Sequence, residues 1–205
     1  MGWPTRWSDL VEYLGQRSRA EFKTDIKRYC DAQPPGDKHH SRATDKSTGA
    51  KSPMMTVRVP VGLMFHEGAP RLARSSVSIV PCRPTDDSRT VLEVYPGLAA
   101  RKLIGRTPYK NDSKKPGEEE RRAARQDLVM ALSRPSTLRG YGIGVALHDK
   151  RRYALIDDPK GDWLDAVLCA LQAAWAYRQP DRCFGVPPDV DRLEGWIVDP
   201  ATTIG

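Results

Sequence analysis

A chain of 205 residues, 39% hydrophobic and 29% charged, can bury a core and suits a single domain by length. No run approaches the roughly 18 apolar residues of a membrane span, and Met1-Gly2-Trp3-Pro4 lacks the basic-then-apolar pattern of a secretory signal, so the expected compartment is the cytoplasm. The formal net charge of +7 is compatible with a phosphate-bearing partner such as nucleic acid, because clustered Lys and Arg displace its condensed counterions.

Cys30, Cys82, Cys169 and Cys183 form no Cys-x-x-Cys pair and have no His-x-x-x-His nearby. That spacing excludes a recognisable zinc site and gives no disulfide framework. Cys169 falls inside an apolar helical run and reads as an inert thiol. His39, His40, His66 and His148 pair with no nucleophile in any motif. The 17 prolines and a mean hydropathy of −0.58 point to substantial loop content.

Ser8 is placed to cap a helix in which Trp7, Leu10, Val11 and Leu14 share a face, with Gly15 as its stop. Phe22, Ile26, Tyr29 and Cys30 mark a second helix. Residues 33–53 are polar and breaker-rich, and read as one long loop. Residues 54–72 are apolar but interrupted by Pro60, Gly62, Gly68 and Pro70, which predicts irregular chain with one short helix. Residues 77–80 read as a brief strand. Residues 90–95 form an apolar, β-branched run, predicted as a buried strand closed by Pro96-Gly97. A short helix follows to Ile104.

Residues 118–132 start with three acids, as the helix dipole favours, and bury Ala124, Leu128, Ala131 and Leu132. Residues 141–147 and 152–156 read as strands, a hairpin around His148-Asp149-Lys150. Residues 162–177 are the clearest helix, with Leu164, Val167, Leu168, Leu171, Ala174 and Trp175 at i, i+3, i+4 spacing. Residues 193–198 read as a terminal strand. There is no Gly-rich phosphate loop; Gly142-x-Gly144 is too short a signal.

Glu93 stands in an apolar strand, where a carboxylate costs several kcal/mol unless paired, hydrogen-bonded or metal-bound. A Glu–Arg pair or an edge-facing side chain answers that demand as well as an ion does. Asp165 lies in the first turn of the 162–177 helix, about a quarter turn off its apolar centre by the 3.6-residue period. It is expected to point along the seam between helix and sheet, or simply to serve the helix dipole. Asp162 has the N-cap position available. Two carboxylates meeting at one end of a sheet would suit Mg²⁺, and two such ions can clamp a phosphodiester. Glu93 and Asp165 are therefore expected to lie close together. The basic stretch comprises Arg101, Lys102, Arg106, Lys110, Lys114, Lys115, Arg121, Arg122 and Arg125, against Asp112, Glu118, Glu119 and Glu120. It is either a phosphate-binding surface or an ordinary solvated face.

Several segments, taken in order, resemble the family named domain of unknown function 429. They include Gly2-Trp3-Pro4, His40-Ser41-Arg42-Ala43-Thr44-Asp45, Val61-Gly62-Leu63-Met64-Phe65 and Gly68-Ala69-Pro70-Arg71-Leu72. They continue with Leu92-Glu93-Val94-Tyr95-Pro96-Gly97, Leu103-Ile104-Gly105-Arg106, Tyr109-Lys110-Asn111-Asp112, the run from Asp157 to Cys169, and Leu193-Glu194-Gly195-Trp196. The resemblance spans nearly the whole chain. It implies one α/β domain over residues 1–205, an RNase H-like mixed sheet with flanking helices, and metal-dependent phosphodiester cleavage. Glu93 and Asp165 would be its catalytic acids. Glu93, Asp162 and Asp165 would hold Mg²⁺ or Mn²⁺, and Lys110 would be a phosphate or carboxylate partner. Apart from the resemblance, the basic stretch and the Lys38–Arg42 loop offer Arg101, Arg106 and Arg42 as contacts for nucleic acid. Members of that family carry further Asp-bearing strands before Gly-Trp-Pro. A chain beginning at Met1-Gly2-Trp3-Pro4 is expected to lack those strands and to be weakly active or inactive. A non-catalytic nucleic-acid-binding or interaction protein is the alternative.

Overall fold

Helix-spaced apolar residues set most of the architecture. The computed structural model describes residues 2–36, 38–111 and 116–203; Asp112, Lys114 and Lys115 of the basic stretch lie outside them. The chain divides into two units, Met1–Glu93 with Val186–Ile197, and Val94–Gly185 with Val198–Gly205.

In the first unit, α1 (Trp7–Gly15) buries Trp7, Val11 and Leu14. Its N-cap is Arg6 rather than Ser8, because Trp7 is itself a core residue and the helix must already be wound there. Helix α2 (Arg19–Asp31) opens on a capping box between Ser18 and Glu21 and buries Phe22, Ile26 and Cys30. The expected loop 33–53 contains α3 (Ala43–Thr48), one short turn with no apolar period to announce it. Helix α4 (Val61–Ala73) is longer than its breakers suggest and runs through Pro70. Its face of Leu63, His66, Ala69 and Pro70 is buried, and tertiary packing of that kind overrides local propensity.

Strands β1 (Ser78–Val80) and β2 (Thr90–Leu92) are paired in parallel, with Ile79 opposite Val91. The expected buried strand 90–95 is thus shorter, and β2 is only partly buried. Glu93 continues it with a single parallel bridge to Ile197, which is all that forms of the strand expected over 193–198.

The second unit is helical: α5 (Pro96–Ile104), α6 (Glu118–Leu132), α7 (Pro135–Tyr141), α8 (Asp149–Ile156), α9 (Asp162–Tyr177) and a 3₁₀ turn over Pro180–Gly185. Pro96 starts α5 instead of ending a strand; its fixed φ suits the first turn of a helix. The hairpin expected around His148 is absent. Tyr141 ends α7, and Arg152–Ile156 is wound into α8 behind Asp149. A helix satisfies its own backbone groups, whereas that segment has no strand to pair with. Ala99, Leu128, Leu132, Leu164 and Leu168 form the core. The architecture is mixed α/β with helix dominant, and the sheet of the described residues has two strands. No helix among them is long and apolar enough to cross a membrane.

Candidate functional site

Asp165 lies one turn into α9, on the side where Tyr109 and Lys110 approach. The Tyr109 hydroxyl donates to Asp165 Oδ1 at 2.6 Å. Lys110 Nζ is 2.6 Å from Asp165 Oδ2 and 3.4 Å from Asp162 Oδ1. Both oxygens of Asp165 are therefore engaged, and its side chain is 25% exposed. Burial first, then the hydrogen bond to Asp165, holds the Tyr109 phenol protonated well above its ordinary range.

Asp162 does not cap α9. The capping acceptor is Asp158, whose Oδ2 takes the Trp163 N–H at 3.2 Å and whose Oδ1 takes the Lys160 N–H at 3.1 Å. That leaves Asp162 exposed beside Lys110. Gly161 supplies the N-cap backbone at φ +67°, and a β-carbon there would stand 3.0 Å from Lys110 Cγ. The Asn111 N–H donates to the Pro159 carbonyl at 2.8 Å, so residues 109–111 lie directly against the turn that starts α9.

The other acid, Glu93, belongs to the first unit. Arg42 donates to both of its carboxylate oxygens at 2.7 Å. The same guanidinium donates to Asp45 Oδ1 at 2.8 Å and to the Glu194 carbonyl at 2.9 Å. Burial opposes the Arg42 charge, but the hydrogen bonds to Glu93 and Asp45 outweigh it and raise its pKa. Asp45 also accepts the Arg42 N–H, closing the start of α3, while Glu194 accepts the Ala43 N–H. Cys82 is pushed up to about 11, by burial and then by the Glu93 charge. Glu93 thus takes the Glu–Arg pairing, with its side chain 41% exposed. Asp45 was missed in the sequence, although its i, i+3 spacing from Arg42 is that of a capping pair.

A third cluster also escaped sequence reasoning. Asp199 is fully buried in the second unit. It accepts from Lys102 Nζ at 2.6 Å, Tyr141 Oη at 2.8 Å and Gln172 Nε2 at 2.8 Å. Its signal was available: like Glu93, it is a lone acid ending an apolar run, Trp196-Ile197-Val198. Of the remaining expected substrate residues, Arg101 lies over the Tyr95 ring, 5.3 Å from its centroid, and Arg106 is exposed just after α5.

Among the described residues, no three His, Cys, Asp or Glu side chains form a group able to hold a metal ion. The donor set that suits one ion is the Asp162–Asp165 pair, where the Lys110 ammonium now serves both carboxylates. Mg²⁺ is commonly held by one or two carboxylates with water and phosphate completing its octahedron. The pair therefore fits a single ion in exchange for Lys110, and does not supply a two-ion arrangement.

The Glu93 and Asp165 clusters draw on Arg42, Glu93, Tyr109-Lys110 and the 157–165 run. The family model described as "Protein of unknown function (DUF429)" matches residues 37–192 and so covers all of these residues. The chain belongs to this family. No curated protein and no solved structure matches it.

Proposed function

We propose that the chain is a metal-dependent nuclease of RNase H-like type, whose polar centre is Asp165 with Asp162 and Lys110. The observation that supports this is the shared ammonium: two carboxylates of one helix turn hold a single cation between them. A Mg²⁺ or Mn²⁺ ion bound by that pair would polarise a phosphoryl oxygen and acidify a bound water. Tyr109 orients Asp165 by occupying one of its oxygens. Lys110, once released from the acids, is a flexible point charge suited to a phosphate.

The test is cleavage of single-stranded and duplex RNA and DNA in Mg²⁺, Mn²⁺ or chelator. Weak cleavage that needs the ion is expected, and Asp165→Asn, which removes one of the two carboxylates that would hold the ion, should bring it to background. No ion-dependent cleavage of any substrate would sink the nuclease reading.

A second reading, a non-hydrolytic nucleic-acid-binding protein, draws on a different observation. Arg42 sits on both oxygens of Glu93 and withdraws from chemistry an acid that the family resemblance makes catalytic. On this reading Arg101 and Arg106 contribute to phosphate contacts. Oligonucleotide affinity should then fall steeply between about 50 and 200 mM salt, and Arg106→Ala should lower the slope by about one. A flat salt titration excludes it.

A further inference from the structure

Arg125 falls in the basic run that the sequence assigns to a solvated face or to phosphates, yet its side chain is only 1% exposed. It lies on the buried side of α6 with Ala124, Leu128 and Val129. A guanidinium removed from water is tolerated only when its N–H groups are matched by acceptors. Arg125 Nε donates to the Ile156 carbonyl at 2.6 Å, Nη1 to the Tyr109 carbonyl at 2.9 Å and Nη2 to Glu118 Oε1 at 2.6 Å. These acceptors belong to the end of α8, to the segment that carries Tyr109 and Lys110, and to the first turn of α6.

The middle contact links a buried arginine to the candidate site. Glu118 strengthens it: its Oε2 takes the Asn111 Nδ2 donor at 2.8 Å, so the 109–111 segment is held from α6 at both of its ends. A planar, forked donor meets three diverging acceptors; a lysine ammonium on a flexible stem does not reproduce that fork.

We propose that Arg125 is a positioning residue of the Tyr109–Lys110–Asp165 cluster, fixing the Tyr109 backbone from behind so that the phenol and the neighbouring ammonium meet the two oxygens of Asp165. The inference rests on reading that cluster as the functional centre. A purely structural arginine would support all of the second unit alike.

Backbone amide hydrogen exchange separates the two roles. The Asn111 N–H, bonded to the Pro159 carbonyl, reports whether residues 109–111 stay against the turn that starts α9, and the amides in the middle of α9 report on the second unit as a whole. In Arg125→Lys, exchange at Asn111 is expected to accelerate about 10-fold or more while the α9 amides keep their wild-type protection. Both unchanged, or both accelerated together, overturns the proposal. Should Arg125→Lys fail to fold, Glu118→Gln decides. It removes the charge of a half-exposed carboxylate, and a smaller acceleration confined to Asn111 supports the proposal, whereas none overturns it. No substrate enters this readout, so absent cleavage by the wild type would defeat the nuclease reading and leave the positioning result standing.

Discussion

Lys110 Nζ and Asp165 Oδ2 lie 2.6 Å apart, and the same ammonium reaches Asp162 Oδ1 at 3.4 Å. An ion and a lysine cannot share that place, so a divalent cation bound by the two acids would have to displace Lys110. Replacing Lys110 by Met removes the competitor and leaves both acids. Mn²⁺ affinity, measured by isothermal titration, should rise about 10- to 100-fold, equivalent to roughly 1.4–2.8 kcal/mol. Asp165→Asn in the same background should abolish the gain. Equal Mn²⁺ affinity in wild type and Lys110→Met would show that the ammonium does not guard the pair.

Tyr109 and Tyr141 make stability fall at alkaline pH. In the folded protein burial and the neighbouring Asp165 or Asp199 raise both phenols above the ordinary value, while the unfolded chain releases those protons near pH 10. Above that pH the unfolded state binds fewer protons. The stabilisation is complete below about pH 10 and declines as pH rises toward the folded values, by about 1.4 kcal/mol per pH unit for each tyrosine. Urea unfolding between about pH 9 and 11 reads this slope. Tyr141→Phe should cut the tyrosine contribution by half, and a slope identical to wild type rejects the assignment.

Asp199 is predicted to matter for stability and not for chemistry. Its carboxylate gathers donors from α5, α7 and α9, tying the segment after Val198 to the helical core of the second unit. Asp199→Asn keeps the shape but leaves Lys102 without its counter-charge and turns an amide donor toward other donors. Breaking a buried pair by removing one partner costs about 3–5 kcal/mol, with the lower end apt here because Lys102 is one-third exposed. Chemical denaturation should show that loss. A change below about 0.5 kcal/mol, the range of ordinary surface substitutions, would contradict the role.

The long helices were legible in the sequence because periodicity and first-turn acids are local signals: α6 and α9 span the residues 118–132 and 162–177 that those signals mark. Helices α3 and α8 were not, since each is short and buries little apolar surface in a regular pattern. The acids were legible as misfits, Glu93 in an apolar run and Asp165 at the edge of a stripe. Their partners were not. Arg42 is 51 positions from Glu93 and Tyr109 is 56 from Asp165, and nothing in one sequence couples residues so far apart. Arg125 reversed the expectation for a basic residue because three acceptors from separate segments converge on it, an arrangement that only folding creates.

Gly161 joins the backbone of α9 to the Tyr109–Lys110 segment, and two effects converge on it. Its φ of +67° lies in the left-handed region, which costs an L-residue other than Gly about 1–2 kcal/mol. A β-carbon there would also meet Lys110 Cγ at 3.0 Å and the Tyr109 ring at 3.3 Å. Gly161→Ala should therefore destabilise by about 1–3 kcal/mol, a fall in Tm of several degrees for a chain of this size. Gly161→Asn separates the causes, because Asn tolerates the left-handed region while keeping the β-carbon. If the close approach matters, Gly161→Asn regains part of the stability, yet its Tyr109 phenol still ionises earlier than in wild type. Should Gly161→Asn restore both stability and the wild-type Tyr109 titration, the backbone conformation alone explains the glycine. Tyr109 and Lys110 would then not depend on its missing side chain for their approach to Asp165.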